Sequence, residues 1–351
     1  MDSLPDHLLQ ECLWRLRTPD QAVVRCVCRR FRDLSSVSFS YEFRAREGSL
    51  EPWLYVIGGI QGCKGELLAE MFDFGAYRWR RMPTFPPNSS FNFSCAVVGD
   101  SLYAIGGFAG LSENAMKMPV YNLRTNMWME ANQIKGLREA FACGVIGGRI
   151  YVAGGFCRQK SKEKMLRSAE MYIPERDIWC PVASMCQGRS CCASAVVGDK
   201  LFVIGGYGAQ TVLRTVEVYD PAENSWEQKT SMPRMWILAG CASVGTKIYV
   251  VGSDIRAMDR QELAVFDTQL DSWNKIGLIP FNELVSGSKC SLWGCGVASV
   301  GEQLYIAGGA SSYDGGGLNT VLVYDPGTEQ WGTMRQMHSR RHCCAVVTIY
   351  H

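Results

Sequence analysis

Histidine is scarce in this chain of 351 residues, and the shortage limits the chemistry that the chain can carry. The four histidines are His7 near the start and His338, His342 and His351 near the end. The sixteen cysteines include no Cys-x-x-Cys pair, a spacing typical of zinc sites. No Walker loop, dinucleotide-binding glycine motif or Ser-His-Asp arrangement stands out either. We therefore expect no metal, no cofactor and no catalytic residue.

An excess of one charge and long apolar runs are also lacking. The formal net charge is +2, from 36 Lys and Arg against 34 Asp and Glu, so no basic surface for nucleic acid is indicated. No apolar stretch reaches the roughly 18 residues that a membrane span needs. The opening residues, Met1 to Asp6, are acidic and lack the apolar core of a secretory signal. We expect a protein of the cytoplasm and/or nucleus, with reduced cysteines, that binds neither nucleic acid nor membrane.

A repeat occupies most of the chain. Each copy has a hydrophobic run ending in Gly-Gly, then an aromatic residue and, seven residues after that aromatic, a tryptophan. The glycine pairs begin at Gly58, Gly106, Gly154, Gly205 and Gly308, with Gly252-Ser253 in the fifth of six places. The aromatic residues are Phe72, Tyr121, Tyr172, Tyr219, Phe266 and Tyr324, and the tryptophans are Trp79, Trp128, Trp179, Trp226, Trp273 and Trp331. Six matches at one fixed offset indicate one structural unit repeated six times.

The segment from Ser194 to Trp226 shows how one copy is expected to fold. Two short apolar strands flank a turn at Gly198-Asp199, an alternating segment leads to Tyr219, and Trp226 opens an outer strand. These marks, at a period of about 50 residues, resemble the kelch repeat, one four-stranded blade of a β-propeller. The resemblance implies a mainly β fold with six blades. We predict that the repeated aromatic residues and tryptophans are scaffold, packed between neighbouring blades.

The two ends of the repeat region predict how the ring closes. The first unit, from Trp53, has no inner strand before it, whereas the last residues form an inner strand with no Gly-Gly after it. Aligning Cys344 to Val347 with Cys95 to Val98 completes one blade, so we predict that the C-terminal strand pairs into the first blade. The same alignment places small or thiol-bearing residues where each wedge narrows, at Cys95, Cys143, Ser194, Cys241, Val297 and Cys344.

The residues before the first blade follow helical spacing instead. Leu4-Pro5 is followed by leucines at positions 8, 9, 13 and 16, and the segment from Val27 to Phe31 comes later. These residues resemble an F-box, a small all-α domain, and we predict an F-box over residues 1–48 and a propeller over residues 49–351. About forty residues cannot bury a large core alone, so part of the apolar surface is predicted to face a partner.

The combination resembles the F-box/kelch-repeat proteins that are abundant in plants. The resemblance implies that the F-box binds the Skp-type adaptor, and through it the cullin, of an SCF ubiquitin ligase. The propeller then binds an unidentified protein substrate. The adaptor-binding residues predicted on this basis are Leu4, Pro5, Leu8, Leu9, Leu13, Leu16, Val24, Val27, Cys28 and Phe31.

In this family, loops between the second and third strands share one face, the propeller mouth, with loops that enter the next inner strand. Arginine and large aromatic residues at such a mouth are typical of binding hot spots. The predicted substrate-binding residues are Asn92, Phe108, Arg138, Phe156, Arg189, Tyr207, Trp236, Trp293, Tyr313, Arg340 and Arg341. The other interpretation of any one of them is a solvated loop residue or an arginine that bridges two blades.

Two other functions remain open at this point. One is a kelch scaffold without ligase activity, in which the amphipathic helices only cap the ring. The other is a copper enzyme of the galactose oxidase type, which needs His and Tyr ligands converging at one mouth. His338, His342 and His351 all lie in one short segment, so the sequence supports the copper enzyme weakly.

Overall fold

The structure is a computed structural model, and it describes residues 4–16, 24, 26–34, 50–59, 69–83, 93–107, 117–134, 138–159, 162–254, 257–281, 290–311 and 316–350. The N-terminal segment contains two helices, α1 (Asp6–Trp14) and α2 (Arg29–Leu34), which pack against each other. Within the described residues, no helix has both the length and the hydropathy that crossing a bilayer requires.

One proline and one arginine of the N-terminal motif explain how this helix pair forms. Pro5 precedes α1, and its carbonyl accepts the N–H of Leu8 and of Leu9, each at 3.1 Å. Arg30 on α2 reaches back to α1 and forms an ion pair with Asp6 at 2.7 Å. The same guanidinium donates to the carbonyl oxygen of Leu4 at 2.6 Å. One arginine therefore ties the second helix to the start of the first.

Six four-stranded antiparallel sheets, the blades, follow within the described residues. Blade 1 contains β1 (Pro52–Gly58), β2 (Ala69–Asp73), β3 (Arg78–Arg81) and β28 (Cys344–Tyr350); blade 2 contains β4 (Ser94–Val98), β5 (Ser101–Ile105), β6 (Met118–Asn122) and β7 (Met127–Ala131). Blade 3 contains β8 (Ala142–Ile146), β9 (Arg149–Ala153), β12 (Ala169–Ile173) and β13 (Ile178–Val182); blade 4 contains β14 (Ala193–Val197), β15 (Lys200–Ile204), β16 (Val216–Asp220) and β17 (Ser225–Lys229).

Blade 5 has longer strands than its neighbours, whereas the strands of blade 6 have the usual length. Blade 5 contains β18 (Gly240–Val244), β19 (Lys247–Asp254), β20 (Ala257–Asp267) and β21 (Ser272–Leu278); blade 6 contains β23 (Gly296–Val300), β24 (Gln303–Ala307), β26 (Val321–Asp325) and β27 (Gln330–Thr333). Two short two-stranded sheets stand outside the blades within the described residues. The hairpin β10 (Phe156–Gln159) and β11 (Lys162–Met165) forms one, and β22 (Cys290–Ser291) pairs with β25 (Ala310–Ser311) in the other. The six-bladed propeller predicted from the repeats is confirmed.

The predicted closure by the C-terminal strand is also confirmed, but its register is not the one aligned above. β28 pairs antiparallel with β1, and Val346 lies opposite Val56. In blade 2, Cys95 lies opposite Ala104, which stands two residues before the first glycine of its Gly-Gly pair, as Val56 does in blade 1. Val346, not Cys344, is therefore the counterpart of Cys95. The predicted alignment was wrong by two residues. A shift of two keeps each side chain on the same face of the strand, so the alternation of Cys and Val residues does not distinguish the two registers.

The fifth Gly-Gly place differs from the others because its strands do not end there. Gly252 and Ser253 pair with Glu262 and Gln261, so β19 and β20 continue as a longer hairpin. A Cβ on Gly252 would lie 3.0 Å from the indole of Trp236, which is why a glycine is still needed here. At Gly155, by contrast, φ is +98°, a conformation that side chains disfavour, and a Cβ would lie 2.7 Å from the carbonyl oxygen of Glu139.

The core lies between blades. Each of six clusters of buried hydrophobic residues joins two neighbouring blades, and blades 6 and 1 share one that includes Phe72 and Tyr305. Each repeated aromatic lies opposite its tryptophan on the adjacent strand, with ring centroids 5.1 Å apart for Tyr219 and Trp226. Five of these tryptophans, Trp79, Trp128, Trp179, Trp226 and Trp273, donate the indole N–H to a carbonyl of the preceding blade. The fixed seven-residue offset thus places these tryptophans where their indole N–H groups bond to the neighbouring blade.

Candidate functional site

The loops that enter the inner strands and the loops after the second strands lie on one face of the propeller, as predicted. Isolated bridges pair Glu139 with Phe156 and Ser190 with Tyr207 across these loops. Because strands alternate in direction, the turns between first and second strands and between third and fourth strands lie on the opposite face. The first face is the propeller mouth.

A ring of left-handed residues surrounds the axis at this mouth. Ala140, Cys191, Leu238, Gly294 and Cys343 each precede an inner strand and have φ between +49° and +69°. We call these five residues the mouth ring. The N–H of each of the last four donates to the carbonyl of the member before it, at 2.7 to 3.2 Å. The main chain of neighbouring blades is therefore bonded around the mouth.

The three predicted mouth arginines that precede this ring do not project from it. Arg189 is buried, and its guanidinium donates to the carbonyl oxygens of Gly205 and Thr215 at 3.0 and 2.9 Å. It also forms an ion pair at 2.5 Å with Glu217, whose side chain is completely buried. The other oxygen of this carboxylate accepts the main-chain N–H of Cys186 at 2.7 Å. The two charges therefore neutralise each other inside the blade.

The same arrangement occurs twice more. Arg138 donates to the carbonyl of Gly154 at 2.6 Å and forms an ion pair with Glu170 at 2.8 Å. Arg341 donates to the carbonyl of Gly58 at 2.8 Å and forms an ion pair with Glu70 at 2.5 Å. Burial by itself raises the pKa of Glu70, but hydrogen bonds and the charge of Arg341, with His338 beside it, bring that pKa below its ordinary value.

Blade 5 shows why the sequence uses these pairs only in some blades. Glu70, Glu170 and Glu217 each stand two residues before the repeated aromatic, and Ala264 holds that place in blade 5. The loop residue that corresponds to arginine is then Trp236, which is buried in one hydrophobic cluster with Ala264. A charged pair is replaced by an apolar one. The signal was therefore present in the sequence as a matched pair of positions.

The structure separates the other predicted mouth residues by exposure. Tyr207 and Arg340 are exposed, Phe156 and Trp293 are half-buried, and Trp236 is buried, as are Arg138, Arg189 and Arg341. Asn92, Phe108 and Tyr313 lie outside the described residues. The arginine-lined surface expected above is thus replaced, for these three arginines, by internal ion pairs. Mouth residues that sequence reasoning missed are Cys191, Ile237, Leu238 and Cys343, all half-buried.

A cavity of about 370 Å³ lies between the inner strands of all six blades. Its lining includes Cys95, Ser194, Ser243 and Thr348. The hydroxyl of Ser243 donates to the carbonyl of Val196 at 3.1 Å, and that of Thr348 donates to Ser299 at 2.7 Å, so these small polar residues satisfy the free edge of the neighbouring inner strand. In the part of the chain that is described, no group of three or more His, Cys, Asp or Glu could hold a metal ion.

The helix pair presents a second surface. Leu4, Leu8 and Val27 are exposed, with relative solvent accessibilities of 39%, 43% and 66%, and Pro5 and Cys28 are exposed as well. Leu16, Val24 and Phe31 are half-buried. Leu9 and Leu13, predicted above in the same surface, are instead buried, because α1 turns this face inward.

The matching family models cover both parts of the chain. A model described as the F-box domain matches residues 1–41. A model described as the Kelch motif matches residues 137–185, 188–233 and 294–338. These matches coincide with the helix pair and with complete blades of the propeller. The chain is an F-box/kelch-repeat protein.

Relatives of this F-box/kelch-repeat chain in Arabidopsis thaliana carry the same description. It is 29% identical to F-box/kelch-repeat protein SKIP11 over 204 residues, which are 56% of this chain and 40% of the relative. It is 26% identical to F-box/kelch-repeat protein At1g26930 over 200 residues, or 56% of this chain and 44% of the relative. The matched part therefore spans less than half the length of these relatives.

Proposed function

We propose that the chain is a substrate-recognition adaptor of an SCF-type ubiquitin ligase, with no catalytic residue of its own. The observation that carries this proposal is the combination, in one chain, of an F-box match over an exposed apolar helix pair and a closed propeller. The F-box binds the Skp-type adaptor and, through it, the cullin. The propeller binds the protein to be ubiquitinated. We place this activity in the cytoplasm and/or the nucleus.

The adaptor-binding surface is the exposed apolar part of the helix pair. Leu4, Leu8 and Val27 lose water-exposed apolar surface when they pack on a partner's helices, and that loss favours binding. The Asp6–Arg30 ion pair and the bond from Arg30 to the carbonyl of Leu4 hold these side chains in place before binding. Preorganisation of this kind lowers the entropy that association costs.

The propeller supports the proposal as a rigid platform. Every pair of neighbouring blades shares a hydrophobic cluster, five of the junctions have a tryptophan N–H bond, and four are joined at the mouth by the main-chain bonds of the ring. Because the ring is closed, the blades keep fixed positions relative to one another, and so do the loops that they carry at the mouth. A platform of this kind suits recognition of a folded or extended protein segment.

Binding of a purified Skp-type adaptor to the full chain tests the proposal. The variants Leu8→Asp and Val27→Asp place a charge on the exposed apolar surface, and each is expected to reduce co-purification of the adaptor at least tenfold. Leu270→Asp is the matched control, because Leu270 is 72% exposed and lies on a propeller turn.

Failure of the wild-type chain to retain the adaptor contradicts the ligase proposal and leaves the kelch scaffold as the better account. Equal retention of wild type and both helix variants places the adaptor contact elsewhere. In either case the control shows whether a surface charge alone lowers recovery of the chain.

A further inference from the structure

The chemistry of the mouth points to the kind of segment that it binds, and this inference rests on the proposed function. The four main-chain N–H groups of Cys191, Leu238, Gly294 and Cys343 are donated to other members of the mouth ring. They are therefore not available to bind a carboxylate or phosphate, as unpaired N–H groups are at other anion sites.

The positive charges of the three buried arginines are not available either. Each guanidinium of Arg138, Arg189 and Arg341 points into a blade, where a glutamate at 2.5 to 2.8 Å neutralises it. An acidic segment at the mouth would gain little from charges that are already paired inside the protein.

Three titratable side chains at the ring, two thiols and one imidazole, favour their uncharged forms. Burial raises the pKa of the Cys191 thiol, and the nearby Glu139, itself buried, raises it further. Burial and the neighbouring Cys344 raise the pKa of Cys343 to about 12. Burial lowers the pKa of His342, which favours the neutral imidazole.

The accessible side chains at the ring are apolar. Leu238 is a ring member, Ile237 and Trp293 each directly precede one, and all three are half-buried. Half-buried apolar side chains at the centre of a surface, with exposed polar residues such as Arg340 further out, are the pattern of a binding hot spot.

Two neutral polar atoms at the same place have no hydrogen-bond partner among the described residues. They are the indole Nε1 of Trp293 and the Nδ1 of His342, which is itself more than nine-tenths buried. The two residues are close, because each directly precedes a ring member and the N–H of Cys343 donates to the carbonyl of Gly294 at 2.7 Å. Both atoms are buried in the free protein, so a peptide main-chain amide can bond to them only when the two side chains turn towards the mouth.

We propose that the mouth binds a protein segment that places an uncharged aliphatic or aromatic side chain on the mouth ring, with main-chain amides bonded to Trp293 and His342. The segment carries no acidic group at this anchor position. The half-buried apolar residues supply the contact area, and the neutral polar atoms fix the direction of the segment.

Selection from a random-sequence peptide display library on the immobilised full chain tests this proposal. The key variant is Leu238→Asp, which puts a carboxylate in the ring. Leu238 has φ of +49°, a conformation that Asp and Asn tolerate better than most residues, so the backbone is not strained by the change. Leu238→Asn separates the effect of charge from the loss of apolar surface. Leu270→Asp, on the turn after β20 at the opposite face, is the matched control.

The selected peptides are expected to share an uncharged aliphatic or aromatic position. Their affinity should fall at least about tenfold for Leu238→Asp, less for Leu238→Asn, and not at all for Leu270→Asp. Equal thermal melting of the three variants shows that folding is intact. Selection of acidic peptides, absence of any uncharged apolar family, or unchanged binding to Leu238→Asp overturns the proposal.

Adaptor binding measured on the same samples keeps the two proposals apart. If adaptor binding is lost but apolar peptides are still selected, the ligase function is contradicted and the proposal for the mouth stands. If adaptor binding is normal but acidic peptides are selected, the proposal for the mouth is contradicted and the ligase function stands.

Discussion

At the scale of single residues, the clearest feature is a buried arginine paired with a glutamate on a strand. Arg189 and Glu217 are both fully buried, so each charge depends on the other and on the surrounding carbonyl and N–H groups. Removing one partner leaves the other charge buried and unpaired, which is far more costly than losing an exposed pair.

Glu217→Ala is expected to lower the free energy of unfolding by about 3–5 kcal/mol. Urea denaturation measures this change. Glu227→Ala in the same blade is the control, because the Lys229–Glu227 pair is largely exposed at Glu227 and contributes less than about 1 kcal/mol. A loss below about 1 kcal/mol for Glu217→Ala contradicts the structural role assigned to the pair.

The lowered pKa of Glu70 predicts an acid-sensitive contribution to stability. A carboxyl whose folded pKa lies below its unfolded value of about 4.3 contributes stability above that value and loses it as the pH falls through the folded pKa. The loss of stability caused by Glu70→Gln should therefore be largest near neutral pH. As the pH falls, the stability of this variant should decline less than that of wild type. Denaturation midpoints measured from neutral pH down to about 3 test this, and parallel curves for both proteins are the contrary result.

At the scale of elements, the C-terminal strand decides whether the ring is closed. β28 contributes the inner strand of blade 1, and its residues belong to the clusters that join blade 1 to both neighbours. Without β28, β1 has a free edge at the axis and the ring is open.

Deletion of everything after Arg341 is expected to abolish cooperative unfolding of the whole propeller, because it removes β28 along with the ring member Cys343. Thermal melting followed by tryptophan fluorescence measures the effect. Deletion of His351 alone is the control. A truncated chain that melts like the full chain contradicts the closure.

Much of this architecture could be predicted from the sequence because its signals are local. The offset between Tyr219 and Trp226 reports two adjacent strands, and the unmatched first and last units report the closure. The register of β28 could not be fixed, because its Val and Cys residues alternate alike in both alignments. The burial of Arg189 depends on Glu217, 28 residues away on another strand, and only a comparison of blades reveals that pairing.

The exposure of the F-box residues was equally hard to predict. Leucines at helical spacing show that a face is apolar but not whether it is covered. The structure buries Leu9 and Leu13 and leaves Leu8 exposed beside them. We therefore restrict the predicted adaptor-binding surface to the exposed residues of the helix pair.

At the scale of the whole molecule, the protein has two surfaces of different kinds. The helix pair exposes apolar side chains, and the propeller holds half-buried apolar residues at a mouth where the main chain is bonded from blade to blade. Each surface has its own variants, Leu8→Asp for the first and Leu238→Asp for the second. The two changes are expected to act independently, because one lies in the helix pair and the other at the propeller mouth.

Calorimetric titration of a purified Skp-type adaptor into the full chain tests the central claim most directly. The account predicts saturable one-to-one binding by the wild-type chain and by Leu238→Asp, and at least a tenfold weaker affinity for Leu8→Asp. No measurable binding by the wild-type chain, or equal binding by wild type and Leu8→Asp, would contradict the account.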